Sequence, residues 1–361
     1  MFNLNTYHFS TAEKLLFFLV ILYAQICIGI AYDHEILDRM DFLLYLSSGI
    51  FTLATAIGMF VYYCCFKILY WKAIIKPRPL LREWWPKLTK NFLVKQRLTH
   101  AIPLYIVIII FLTLFSNMKG LLPYYGDYIW DQTFVELDRN IHFGIDPWRI
   151  TQPFLGYPII TAALDVLYAL WMFVMFFFLY WQLVSIENPR LRLQFFFTFI
   201  LTWGISGTLF AMLFASGGPC FYEAMTGNDY FFEQLNYLQK VNEQYELGSL
   251  SAQKMLLGLF QQDSIMVGVG ISAMPSLHVA TAFLFYLLTS KLNKWLGYFF
   301  ALYCCLIFLG SVHLAWHYAV DGYVSVFLTW IYWKFSGIFI EKTEQANGVF
   351  SLFKHALTKR S

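Results

Sequence analysis

The sequence predicts an all-α integral membrane protein with about eight transmembrane helices. Three observations carry this. Of 361 residues, 59% are hydrophobic, at a mean hydropathy of +0.57. Only 13% are charged, too few to cover a soluble globule of this length. Apolar runs long enough for a membrane helix, about 20 residues, recur along the chain.

These runs lie near 13–32, 42–66, 99–118, 157–182, 194–215, 268–290, 295–313 and 317–340. Helices are required there because only they close their backbone hydrogen bonds within one segment. The first run, from Leu15 to Ile30 behind Lys14, has no convincing small-residue cleavage site before Asp33 and reads as a retained helix. Between the second and third runs, Lys67, Lys72, Lys76, Arg78, Arg82, Lys87, Lys90, Lys95 and Arg97 face Glu83 alone, which puts this connector in the cytoplasm. Arg190 and Arg192, Lys291 and Lys294, and the tail residues Lys354, Lys359 and Arg360 then fall on the same side. Asp33, Glu35 and Asp38 outweigh Arg39 on the other. Both termini are expected in the cytoplasm. The chain divides into two helices and a basic connector over 1–98, a six-helix unit with two noncytoplasmic loops over 99–340, and a tail over 341–361.

The two long loops, about 119–156 and 216–267, face away from the cytoplasm. The aromatics Tyr124, Tyr125, Tyr128, Trp130 and Trp148 in the first suit a short helix lying in the interface. A net charge of +3, with basic residues beside apolar runs, speaks against a nucleic-acid partner. The six Cys form no metal-ligand or disulfide pattern; Cys64-Cys65 and Cys304-Cys305 read as buried thiols. No cofactor and no metal are expected.

The chemistry gathers in two stretches, Ser272-Ala-Met-Pro-Ser-Leu-His278 and Ser311-Val-His-Leu-Ala-Trp-His-Tyr-Ala-Val-Asp321. His278 opens the sixth run on the noncytoplasmic side; the hairpin of runs six and seven returns the chain there before His317 and Asp321. His317 and Asp321 share a helical face at i,i+4. The aspartate fixes the histidine tautomer and leaves the other ring nitrogen as a nucleophile. His278 suits proton transfer to a leaving oxygen, and Ser276 with nearby amides suits anionic oxygens. A single histidine at a membrane edge also reads as a packing residue. Three ionisable groups at one depth favour a functional interior.

"PSLH", Pro275–His278, followed by "HYAVD", His317–Asp321, resembles the type-2 phosphatidic acid phosphatase superfamily. The resemblance implies a six-helix phosphatase-like catalytic core over roughly 99–340. It also implies that His317 forms a phosphohistidine, that His278 acts as acid and then base, that Asp321 orients the nucleophile, and that Ser276 holds an anion. Two features depart from that pattern. Ser311 stands where the last motif has arginine, and Lys72 is one residue too close to Arg78-Pro79 and across the membrane from His317. The branch resembled best is that of the inositol phosphorylceramide synthases, through "PSLH", "ELDRNIHFGIDPW" (Glu136–Trp148) and "GGPCFY" (Gly217–Tyr222). Gly217 and Gly218 therefore join the substrate-binding candidates.

The missing arginine leaves phosphate charge to be offset. Arg139 and Arg149 lie on the expected side, each reading either as a phosphate ligand or as a surface or interfacial charge. His313, one turn before His317, reads as a phosphate contact or a stabilising residue. The expected activity is head-group phosphotransfer from a phospholipid or isoprenoid-phosphate donor, entering from surrounding membrane lipids, to an alcohol or lipid acceptor. A lipid or polyprenyl-phosphate phosphatase is the nearest alternative. A lipid transporter or scramblase without bond cleavage is the alternative of another class.

Overall fold

The computed structural model describes residues 9–47, 95–261 and 270–358. Among them the chain is helical, with no strand, and six helical stretches are long and apolar enough to span a bilayer: Thr11–Asp33, Thr99–Gly120, Pro158–Val184, Pro189–Leu213, Lys294–His313 and Ala319–Ala346. Leu277–Leu292 is a shorter apolar helix. The protein is a multi-pass membrane protein. Most of the second expected span and the basic connector, with Lys72, Arg78 and Cys64-Cys65, lie outside the described residues.

Local chemistry sets the helix ends. Helix α1 (Thr11–Asp33) begins with a capping box in which Ser10 and Glu13 satisfy each other's backbone N–H. Helix α2 (Lys95–Gly120) ends where Leu122–Tyr124 forms a single tight turn. The first long loop then holds α3 (Asp131–Ile141) and α4 (Pro147–Leu155). The fourth expected span is two helices, α5 (Pro158–Ala169) and α6 (Trp171–Val184), meeting at Leu170. Helix α7 (Pro189–Leu201), capped by Asn188, continues as a π-helical stretch over Thr202–Phe210.

The second loop contributes α8 (Phe232–Asn242) and α9 (Gly248–Gln261). Then come α10 (Leu277–Leu292), α11 (Lys294–His313) and α12 (Ala319–Thr358). The sixth run was expected to be helical from 268. Residues 270–276 are instead non-helical, and α10 starts only after Pro275, where Ser276 accepts the Val279 N–H. Irregular backbone at this depth is tolerated because it is buried in protein rather than facing lipid.

Helices α10 and α11 form a hairpin joined by Asn293, whose side chain caps α11 through the N–H groups of Trp295 and Leu296. Helices α7 and α12 pack against α10, while α1 lies against α2, α7 and α12. The core between them is aromatic: Phe178 stacks on Phe285 with centroids 4.1 Å apart, and Phe111, Phe195, Phe196 and Phe199 are fully buried. Of the vicinal cysteines, Cys304 is buried as expected but Cys305 is exposed, because consecutive helical residues point about 100° apart.

The π-helical stretch fits tightly against the start of α10. A Cβ on Gly207 would stand 2.7 Å from the Phe115 ring and 2.8 Å from Leu277, whereas at Gly204 the nearest atom is Tyr23 at 3.4 Å. Overpacking of this kind costs about 1–3 kcal/mol. Gly207→Ala is expected to lower the melting temperature of the detergent-purified protein and Gly204→Ala to leave it unchanged or raise it, as read by thermal denaturation.

Candidate active site

The two opening motifs meet. The rings of His278 and His317 lie 6.0 Å apart, centroid to centroid, at the end of a cavity of about 390 Å³ that both line. Each histidine is held from several sides. His317 Nδ1 lies 2.9 Å from the Ala273 carbonyl and 3.3 Å from Asp321 Oδ2. Both partners only accept, so Nδ1 carries the hydrogen and Nε2 keeps its lone pair. Asp321, fully buried, also accepts the Tyr318 N–H at 2.9 Å. His278 lies against Tyr168 at 4.6 Å and Trp171 at 4.1 Å, which flank the α5–α6 break, and its carbonyl accepts the Trp171 indole N–H.

The loop carrying His317 is stapled by its backbone. The Ser311 carbonyl accepts the N–H groups of Trp316 and His317. The Ser311 hydroxyl, in the place of the expected arginine, turns back to the Phe308 carbonyl at 2.7 Å.

Three buried carboxylates hold the surrounding segments, each accepting two successive backbone N–H groups. Asp131 takes those of Gly217 and Gly218, at 2.8 and 2.9 Å, and the Tyr318 hydroxyl at 2.6 Å. Asp138 takes those of Ala319 and Val320, both at 2.8 Å, in the first turn of α12. Asp165 takes those of Gly248 and Ser249, at 2.8 and 2.9 Å, where α9 begins. Burial pushes the Asp138 carboxyl up to about 6, against the opposing pull of the two N–H groups. Gly218 sits at φ +86°, and a Cβ there would come within 2.7 Å of the Trp316 carbonyl oxygen, so this turn requires glycine.

The remaining candidates are placed less directly. Gly217 lines the cavity, but the N–H groups of Gly217 and Gly218 are taken by Asp131 rather than turned toward a ligand. Ser276 is fully buried and acts as the cap of α10, outside the cavity lining. His313 hydrogen-bonds Thr161 at 2.9 Å through Nε2 and does not line the cavity. Arg139 donates to Tyr230 at 2.8 Å, Arg149 to Glu233 at 2.6 Å, and both approach Asp146. Neither arginine lines the cavity: α3 turns Asp131 and Asp138 inward and Arg139 outward.

Among the described residues that line it, the cavity's cation is Lys119, at the end of α2, which neither motif includes. It lines the cavity with both histidines, and its ammonium donates to the Ser272 carbonyl at 3.3 Å. Among the described residues no carboxylate pairs with it. The signal was there: Lys119 is the sole Lys or Arg between Arg97 and Arg139, at the end of a span opposite the basic connector.

The PAP2 superfamily matches residues 132–335, more than half of the chain and a range that contains both histidines and Asp321. The chain belongs to the PAP2 superfamily. Its members are phosphatases and phosphotransferases, so this PAP2 protein is an enzyme of that broad kind. No curated protein and no solved structure matches it.

The PAP2 loop joining α11 to α12 depends on Asp131 through Gly217, Gly218 and Tyr318. In Asp131→Asn, the amide NH₂ would face a buried N–H donor. Leaving such a donor unsatisfied costs about 1–3 kcal/mol. The expected outcome is a lower melting temperature together with loss of turnover, measured on the same preparation.

Proposed function

We propose that this protein is a lipid head-group phosphotransferase of the inositol phosphorylceramide synthase-like branch, working through a phosphohistidine. One observation carries the reading: two imidazoles, one with Nδ1 committed to Ala273 and Asp321, address one cavity together with an ammonium group.

In the first half-reaction the lone pair on His317 Nε2 attacks phosphorus. The bond from phosphorus to the leaving oxygen breaks, and protonated His278 gives its proton to that oxygen. Lys119 offsets charge on the non-bridging oxygens, taking the part that arginine plays in the usual last motif. A fixed cation already in place is stabilising because it needs no reorganisation as charge develops. In the second half-reaction neutral His278 takes the proton of an acceptor hydroxyl. The acceptor oxygen attacks phosphorus, the P–N bond breaks and His317 is restored. An alcohol acceptor makes the enzyme a transferase, and water makes it a phosphatase.

Two imidazoles and an ammonium supply proton transfer, nucleophile and charge, so the scheme requires no metal. The donor is a phospholipid or isoprenoid phosphate, and the site faces the noncytoplasmic side with both termini in the cytoplasm. The clustering of basic residues in the connector and tail supports that orientation.

The test is purified protein with a panel of phospholipids and candidate alcohols, products resolved by mass. A new phosphodiester is expected, with turnover unchanged by chelator. Release of inorganic phosphate whatever alcohol is present would make it a phosphatase, and donor movement without P–O cleavage would remove the enzymatic scheme. His317→Ala is expected to lose about a thousandfold or more in turnover. Lys119→Met is expected to lower kcat/KM about a hundredfold, with Lys119→Arg recovering part of it. Unchanged kinetics in Lys119→Met would take the lysine out of the scheme.

A further inference from the structure

The cavity has two unlike ends. At one stand Lys119, Ser272, His278 and His317; at the other the walls are Phe115, Met172, Met175, Phe176 and Trp203. The order along α6 gives the direction. Trp171 touches the His278 ring, and Met172, Met175 and Phe176 follow it toward the Val184 end of the span, alongside α10, whose Phe285 stacks on Phe178 further along. Five residues beyond Trp171 is about 7.5 Å along the helix axis. The apolar end therefore starts directly beneath the phosphate-handling groups and runs into the depth of the bilayer.

This end is a slot rather than a surface groove. Phe115, Met175, Phe176 and Trp203 are at most 9% exposed, whereas Met172 is 42% exposed. Met172 both lines the cavity and faces outward from a membrane span, so the slot meets the surrounding lipid there. A charged head group has no counterpart among these walls. A hydrocarbon chain does, and the two unbranched methionine side chains adapt to its shape.

A second apolar space, of about 650 Å³, lies between α10, α11 and α12 beside Phe283, Phe308 and Phe327. It includes neither Lys119 nor either histidine, so a chain lodged there would not belong to a lipid whose phosphate sits between them.

We propose that the donor lipid places one hydrocarbon chain in a slot descending from His278 between α2 and α6, walled by Phe115, Met175, Phe176 and Trp203 and open to the bilayer at Met172. This rests on the phosphoryl-transfer reading for the position of the phosphate. The slot then selects donors by chain length and bulk, separately from the chemistry at phosphorus.

The experiment uses the full chain in nanodiscs, irradiated with phosphatidic acid carrying a diazirine in one acyl chain, with labelled peptides identified by mass. Label is expected on Met172–Phe176, competed by dioleoyl phosphatidic acid but not by inorganic phosphate, and lost in Met175→Trp, which fills the slot. Met172→Trp, at the lipid-facing mouth, gives the same result without touching the core. Label spread evenly over the lipid-exposed faces of α1, α6 and α11, and unaltered in both variants, would overturn the proposal in favour of ordinary boundary lipid.

Kinetics give a second reading. With dioleoyl donor, both variants are expected to lose about tenfold or more in kcat/KM; with the dihexanoyl form of the same donor, whose chains fill less of the slot, the loss is expected to be several-fold smaller. Equal losses on both donors would overturn the slot by making these positions structural. Specific labelling in a wild-type protein that turns over no donor would keep the slot and remove the phosphoryl-transfer reading, so the two failures are distinct.

Discussion

The site rests on buried carboxylates that satisfy pairs of backbone N–H groups. A membrane-embedded active site needs non-helical backbone to bring residues from different spans together, and such backbone leaves donors that lipid cannot satisfy. Asp131, Asp138 and Asp165 each absorb two of them. A carboxylate suits the task because its two oxygens match two successive N–H groups, and charge-assisted bonds are about twice as strong as neutral ones. The arrangement fixes the Gly217–Gly218 turn, the start of α12 beside Asp321, and the start of α9 over the cavity. Pulling these charges from water is costly, and it is offset because every one of them closes a hydrogen-bond debt elsewhere.

Around this scaffold the two histidines are treated differently. His317 is fixed by hydrogen bonds: its Nδ1–H faces the Ala273 carbonyl and Asp321, and its backbone N–H donates to the Ser311 carbonyl. His278 is fixed by faces, between Tyr168 and Trp171. The difference suits the scheme proposed above: there the nucleophile needs one tautomer and one direction of approach, which hydrogen bonds impose, and the group that gives and takes a proton is better held by ring contacts, which restrain the plane without committing either nitrogen. The α5–α6 break at Leu170 brings Tyr168 and Trp171 to that ring together.

Much of this was legible in the sequence, and the limits have physical causes. That His278, His317 and Asp321 come together was legible because hydropathy sets the depth of a residue in a membrane chain and a hairpin of two spans returns the chain to the same level. Neither fixes helical phase. Arg139 is next to Asp138, yet one step around α3 sends Asp138 to Ala319 and Val320 and Arg139 out to Tyr230. The apolar run near 268–290 is longer than α10 because a hydropathy window counts the non-helical residues 270–276, while Pro275 and the Ser276 cap, just ahead of His278, begin the helix at Leu277. Lys119 and Asp165 were passed over for the same reason. Each is a single charged residue in or beside a long apolar run, where averaging over a window hides the one position that matters.

The brevity of α10 has a further consequence. Its 16 residues reach about 24 Å even when upright, against a hydrocarbon layer of about 30 Å. Either the bilayer thins at this helix or its histidine end is recessed below the lipid head groups. In the second case a phosphate drawn in beside His278 leaves the plane of its neighbours for a drier setting. Under the phosphohistidine scheme proposed above, scarcity of water there would tilt the second half-reaction toward any hydroxyl delivered by the membrane itself.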